Sequence, residues 1–83
     1  MNIVINTKYS IGDAIYCAEI CREYWANNRP YQVVGINIHI NDHTMKIVYN
    51  IEQDRLVTSI SETFLFSTYE ECLKWCEEKN KSL

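Results

Sequence analysis

Hydrophobic and polar residues alternate most regularly in the middle of the chain. Val34, Ile36, Ile38 and Ile40 are β-branched aliphatics separated by Gly35, Asn37, His39 and Asn41. Side chains alternate faces along a strand, so this period puts the aliphatics on a core-facing side and the others toward water or a partner. Met45, Ile47, Tyr49 and Ile51 repeat it, with Lys46, Asn50 and Glu52 opposite. Asn41-Asp42-His43-Thr44 is polar and turn-forming, so the two runs predict an antiparallel hairpin. Gln53-Asp54-Arg55 reads as a second turn and residues 56–60 as a further strand. Residues 61–66 follow as a short strand or extended segment that carries aromatics inward.

The pattern then changes period. Tyr69, Cys72, Leu73 and Cys76 recur at helical spacing and make one apolar stripe, with Glu70, Glu71, Lys74, Glu77, Glu78 and Lys79 on the wet face. Ser67-x-x-Glu70 and Thr68-x-x-Glu71 both fit a capping box, so the helix starts at one of these hydroxyls. Residues 80–83 are expected to fray. The first third supports two readings. Residues 10–25 form a helix capped by Ser10 with Ile11, Ala14, Ile15, Ala18 and Trp25 on one face, or a Gly-Asp turn feeds a strand with Ile15 and Cys17 on one side and Tyr16 and Ala18 on the other. Intrinsic propensity tips slightly toward helix.

Composition narrows the class. At 83 residues, 47% of them apolar, with one proline and two glycines, the chain reads as a single folded domain with no linker or repeat. The run Ile3-Val4-Ile5 is too short for a secretory signal or a membrane span, so the protein is expected in the cytoplasm of its host cell with its four cysteines as thiols. A net charge of −3 disfavours a phosphate-gripping surface.

The candidate chemistry is sparse. Cys17-x3-Cys21 and Cys72-x3-Cys76 invite a four-thiolate zinc site. Residues four apart on a strand are ~13 Å apart, whereas sulfurs sharing a zinc sit ~4 Å apart. Only two helical pairs could converge, and the simpler expectation is four small core hydrophobes with no metal. His39 and His43 have no partner at catalytic spacing. Asp13 after Gly12 is expected to bond local backbone amides. The stretch 22–31 is read as a loop that holds Arg22, Tyr24, Trp25, Arg29 and Tyr31, the residue types that dominate binding hot spots. The competing expectation is that Trp25 and Tyr31 fold back to cap a small barrel. Trp75, off the main helical stripe, is the second candidate contact.

Tyr9-Ser10-Ile11-Gly12-Asp13-Ala14-Ile15-Tyr16 resembles the Y-x-I-G-D-x-V-Y opening of small SH3-like β-barrel proteins of phages and mobile elements in Gram-positive bacteria. Phe66-Ser67-Thr68-Tyr69-Glu70-Glu71-Cys72 is similar to the F-x-T-x-E-E-C helix that closes them, and Val34-Gly35-Ile36 to their second strand. The resemblance implies a mostly β (α+β) fold: an SH3-like barrel or curved sheet of four to five strands with one C-terminal helix, and residues 13–20 as strand. It implies no catalytic residues. Size, acidity, the aromatic segment and this resemblance together lead to an expectation: a protein that is not an enzyme, carries no cofactor, and binds a host protein. Inhibition of a host defence nuclease, as anti-CRISPR proteins achieve it, is one concrete form. Nucleic-acid or nucleotide binding through Arg22, Tyr24, Trp25, Arg29 and Tyr31 is the alternative, and a small structural zinc protein the third. An open strand edge also makes a homodimer plausible.

Overall fold

Two long alternating runs joined by a polar turn have only one way to bury a common face, and they do so as β3 (Tyr31–Ile40) and β4 (Met45–Gln53) of an antiparallel sheet. The computed structural model describes residues 5–82. Met1–Val4, which carry part of the N-terminal apolar run, and Leu83, in the stretch expected to fray, lie outside the described residues. The other elements are β1 (Ala14–Cys21), β2 (Glu23–Ala26), β5 (Leu56–Ser61), a single 3-10 turn (Glu62–Phe64), β6 (Leu65–Phe66) and α1 (Tyr69–Asn80). The strands run β2-β1-β3-β4-β5, with β6 also paired to β1. The sheet curls into an antiparallel half-barrel with one C-terminal helix, the small SH3-like α+β arrangement. Among the described residues no helix is long and apolar enough to cross a membrane.

The first third is strand, and the helical alternative for residues 10–25 falls. Gly12 takes φ +98°, a left-handed turn that costs a glycine little. Asp13 accepts from the Ser10 amide at 2.9 Å, and the Val33 amide donates to the Asp13 carbonyl at 2.9 Å, which aligns the start of β1 with β3. β1 is buried on both faces. Ile15 and Cys17 point into the half-barrel, and Ala18 points the other way, against Cys72 and Cys76 of α1. The poor strand former Ala18 sits where β1 meets α1, where a small side chain packs directly on Cys72 and Cys76. Arg22, at φ 68°, reverses the chain between the paired Cys21 and Glu23. Asp54 and Arg55, both at positive φ, make the tight β4–β5 turn.

The hairpin pairs as expected, but Val34 is turned out of the core and the outer positions Ile38, Ile40 and Met45 stay exposed. Opposite Ile51 stands Val33, not Val34, because the register slips between Val33 and Gly35. One residue is extra there, a β-bulge. Val33 is fully buried while Val34 is turned out. Beyond the bulge Ile36, Ile38 and Ile40 face Tyr49, Ile47 and Met45. Gly35 suits the bulge, since a Cβ there would meet Asn50 Nδ2 at 2.9 Å. Only the inner half of the hairpin reaches the core: Ile40 and Met45 are 55% and 52% exposed.

The apolar stripe of the helix does not close the β3–β4 face. That face is closed by Tyr9, Ile15, Cys17 and Leu65, which pack with Val33, Tyr49 and Ile51. The Tyr9 hydroxyl donates to the Leu65 carbonyl at 2.8 Å, and the Tyr9 amide donates to the Tyr49 hydroxyl, which in turn donates to Glu62. α1 covers the opposite side, where Cys72, Cys76 and Ala18 form a second core with Tyr16, Tyr24, Phe64, Phe66 and Trp75. Of the two candidate caps, Thr68 is used: its hydroxyl accepts from the Glu71 amide at 3.2 Å. The buried stripe is rotated from the expected one. Trp75 turns inward and Leu73 outward, because the aromatics of β2 and β6 and the 3-10 turn lie on the Trp75 side. At the helix end Asn80 bonds both the amide and the carbonyl of Tyr24, each at 2.8 Å, and pins α1 to β2.

Candidate functional site

The half-barrel is open between β5 and the β1–β2 hairpin, and an apolar groove of about 340 Å³ lies in this gap. Cys17, Ala18 and Ile51 are its buried lining, and Glu19, Ile20, Tyr24, Tyr31, Thr58, Ile60 and Phe64 complete it. Ile20 is 66% exposed at the rim, an aliphatic side chain held in water by a short strand pair. Trp25, 45% exposed, is directly opposite Glu19 across β1–β2.

Glu19 brings the charge. It follows Ile15 and Cys17 at two-residue spacing, so it continues their inward face to where the barrel opens. Asn27 Nδ2 donates to Glu19 Oε2 at 2.7 Å and the Tyr31 hydroxyl donates to Glu19 Oε1 at 3.2 Å. Burial, and secondarily the Glu19 carboxylate, raises the Tyr31 phenol above its ordinary value.

The structure divides the residues singled out in the sequence. Segment 22–31 is not one loop: Arg22 is a turn, Tyr24 and Trp25 lie on opposite faces of β2, and Tyr31 begins β3. Tyr24 and Tyr31 line the groove and Trp25 neighbours it. Arg29 is engaged elsewhere, its guanidinium bidentate on Asp54 at 2.7 and 2.8 Å. That pairing holds the Asp54 carboxyl below its usual range. Trp75, expected on a charged helix face, instead packs edge-on against Tyr24 and Phe64, at 5.0 and 5.8 Å between ring centroids. It supports the groove from behind.

The groove residues that the sequence pattern did not single out are Glu19, Ile20, Thr58, Ile60 and Phe64. Only Glu19 left a signal: a carboxylate in register with two core positions. That signal is visible once residues 14–21 are taken as strand.

The four thiols do not share one site, although Cys72 and Cys76 lie within hydrogen-bonding reach of each other. Cys17 lies in the half-barrel core, Cys72 and Cys76 in the helix-side core, and Cys21 is exposed at the hairpin end. With the first pair on a strand, the two-helix convergence that four-thiolate binding requires does not form. Among the described residues no group of three His, Cys, Asp or Glu is placed to hold a metal. Burial pushes the Cys17 and Cys72 thiols up to about 12, so the free thiols stay protonated and weakly nucleophilic at neutral pH. A second groove of about 340 Å³ lies between Met45, Lys46, Ile47 and Ser61, Glu62, Thr63, and its carboxylate is already bonded to Tyr49.

No family model, no curated protein and no solved structure matches this chain.

Proposed function

We propose that the chain is a protein-binding module that takes a segment of its partner into the groove at the mouth of the half-barrel. The observation that carries this reading is an apolar groove rimmed by the exposed Ile20, with Tyr24, Tyr31 and Phe64 in its lining and Trp25 beside it. Rigid aromatics around a desolvated pocket are the usual energetic centre of a protein interface. Chemistry is a poorer fit to the same surface. Neither His39 nor His43 lines the groove, and the one thiol that does, Cys17, is held protonated by burial. A nucleic-acid platform is also poorly served, since Arg29 is committed to Asp54 and the charge in the groove lining is a carboxylate. On the resemblance to phage and mobile-element proteins, the partner is a protein of the bacterial host, and a defence nuclease is one form it would take.

The test compares wild type with Ile20→Asp in affinity purification from a Gram-positive host, quantified by mass spectrometry. Ile20 is exposed, so the substitution leaves the fold intact. The expected result is a protein recovered in stoichiometric amount with wild type and with the control Val57→Asp, and lost with Ile20→Asp. A recovery profile identical for all three contradicts the proposal.

A further inference from the structure

We infer that the groove is a receptor for an arginine side chain presented by the partner, with Glu19 taking the guanidinium; this rests on the protein-binding reading above. Glu19 is the one charged residue in the lining, and it is half-buried beside aliphatic walls. Its two hydrogen bonds offset part of its desolvation, and a cation facing it would complete the pairing. Its partners here are the neutral side chains of Asn27 and Tyr31, and the ion pair among the described residues is Arg29–Asp54.

Geometry favours arginine over other cations. Asn27 bonds one carboxylate oxygen and Tyr31 the other, so the group is held in a fixed plane and each oxygen keeps accepting capacity. Two oxygens, each with room for one more donor, match the two parallel N–H bonds of a guanidinium. Tyr24 and Phe64 pack on each other and on Trp75, and with Tyr31 they make the lining aromatic beside the carboxylate. Ile20, Ile51 and Ile60 supply apolar surface for the methylene stem. The net charge of −3 favours encounter with a basic surface.

The experiment titrates the 15N-labelled protein with N-acetyl-argininamide, whose only cation is its side chain, and with the isosteric, neutral N-acetyl-citrullinamide. The expected result is saturable shifts of the Ile20, Tyr24, Tyr31 and Ile60 amides with the arginine compound. Binding is at least ten-fold weaker for the citrulline compound, and at least ten-fold weaker for the arginine compound in Glu19→Gln, while Glu23→Gln behaves as wild type. Equal binding of the two compounds overturns the arginine assignment and leaves the groove as an interface that reads apolar stems alone. No shift with either also overturns it, and the protein-binding reading is then decided separately by the Ile20→Asp comparison. The citrulline arm uses the wild-type chain, so its outcome does not depend on how any variant folds.

Discussion

The Tyr31 hydroxyl donates to Glu19 Oε1 at 3.2 Å, tying the first residue of β3 to the one carboxylate of β1. The bond fixes a charge at the point where the half-barrel stops being closed by its own side chains. Tyr31→Phe removes that donor and leaves ring packing in place. Loss of a hydrogen bond to a half-buried carboxylate costs about 1 kcal/mol, read as a lower urea midpoint at unchanged slope.

The two tryptophans have opposite roles. Trp75 packs among Tyr24, Phe64 and Phe66 between α1 and the sheet, so Trp75→Ala opens a cavity and costs about 2–3 kcal/mol. Trp25 stands half in solvent beside the groove, so Trp25→Ala stays within about 1 kcal/mol of wild type and its effect falls on partner binding. Chemical denaturation of both variants checks the contrast.

The bulge in β3 makes a prediction that an unbroken period would reverse. Val33→Ala removes buried contacts from the half-barrel core and costs about 2 kcal/mol. Val34→Ala, on the outward side, changes stability by less than about 0.5 kcal/mol. A larger loss at Val34 than at Val33 in thermal unfolding contradicts this register.

That bulge also shows where a sequence pattern reaches its limit. The alternation of Met45, Ile47, Tyr49 and Ile51 is legible because it is unbroken, whereas the Gly12-Asp13 turn is one of two readings of its segment and the helix cap one of two hydroxyls until the fold selects the turn and Thr68. Val33-Val34 offers two adjacent aliphatics, and only pairing with β4 decides which of them goes inward. The strand at residues 14–21 contradicts helical propensity because both of its faces are buried and both of its edges are paired, which are tertiary facts. The position of Trp75 depends on the aromatics of β2, β6 and the 3-10 turn, which helical spacing alone does not reveal. The groove is the least legible feature, since Glu19, Ile20, Thr58, Ile60 and Phe64 meet only when the sheet curls.

Buried thiols and phenols set the alkaline limit of stability. Cys17 and Cys72 are pushed from an ordinary 9.0 to about 12 by burial, and Tyr9, Tyr31 and Tyr49 are raised from 10.0 for the same leading reason. In the unfolded chain these groups release protons first, so between pH 9 and 12 the unfolded state binds fewer protons than the folded one. Stability from these groups is therefore fully present below about pH 9 and is lost as pH rises toward 12. Urea midpoints measured under reducing conditions are expected to be level up to pH 9 and to fall above it, with a shallower fall in Cys17→Ala.

The groove at the half-barrel mouth is tested most directly by mapping a captured partner onto the 15N-labelled protein. Amide shifts on partner addition are expected to cluster at Ile20, Tyr24, Trp25, Tyr31, Thr58 and Ile60. Shifts confined to the far end of the hairpin, at Ile38, Ile40 and Met45, or to the outer face of α1, with those six residues unmoved, would contradict a binding groove at this mouth.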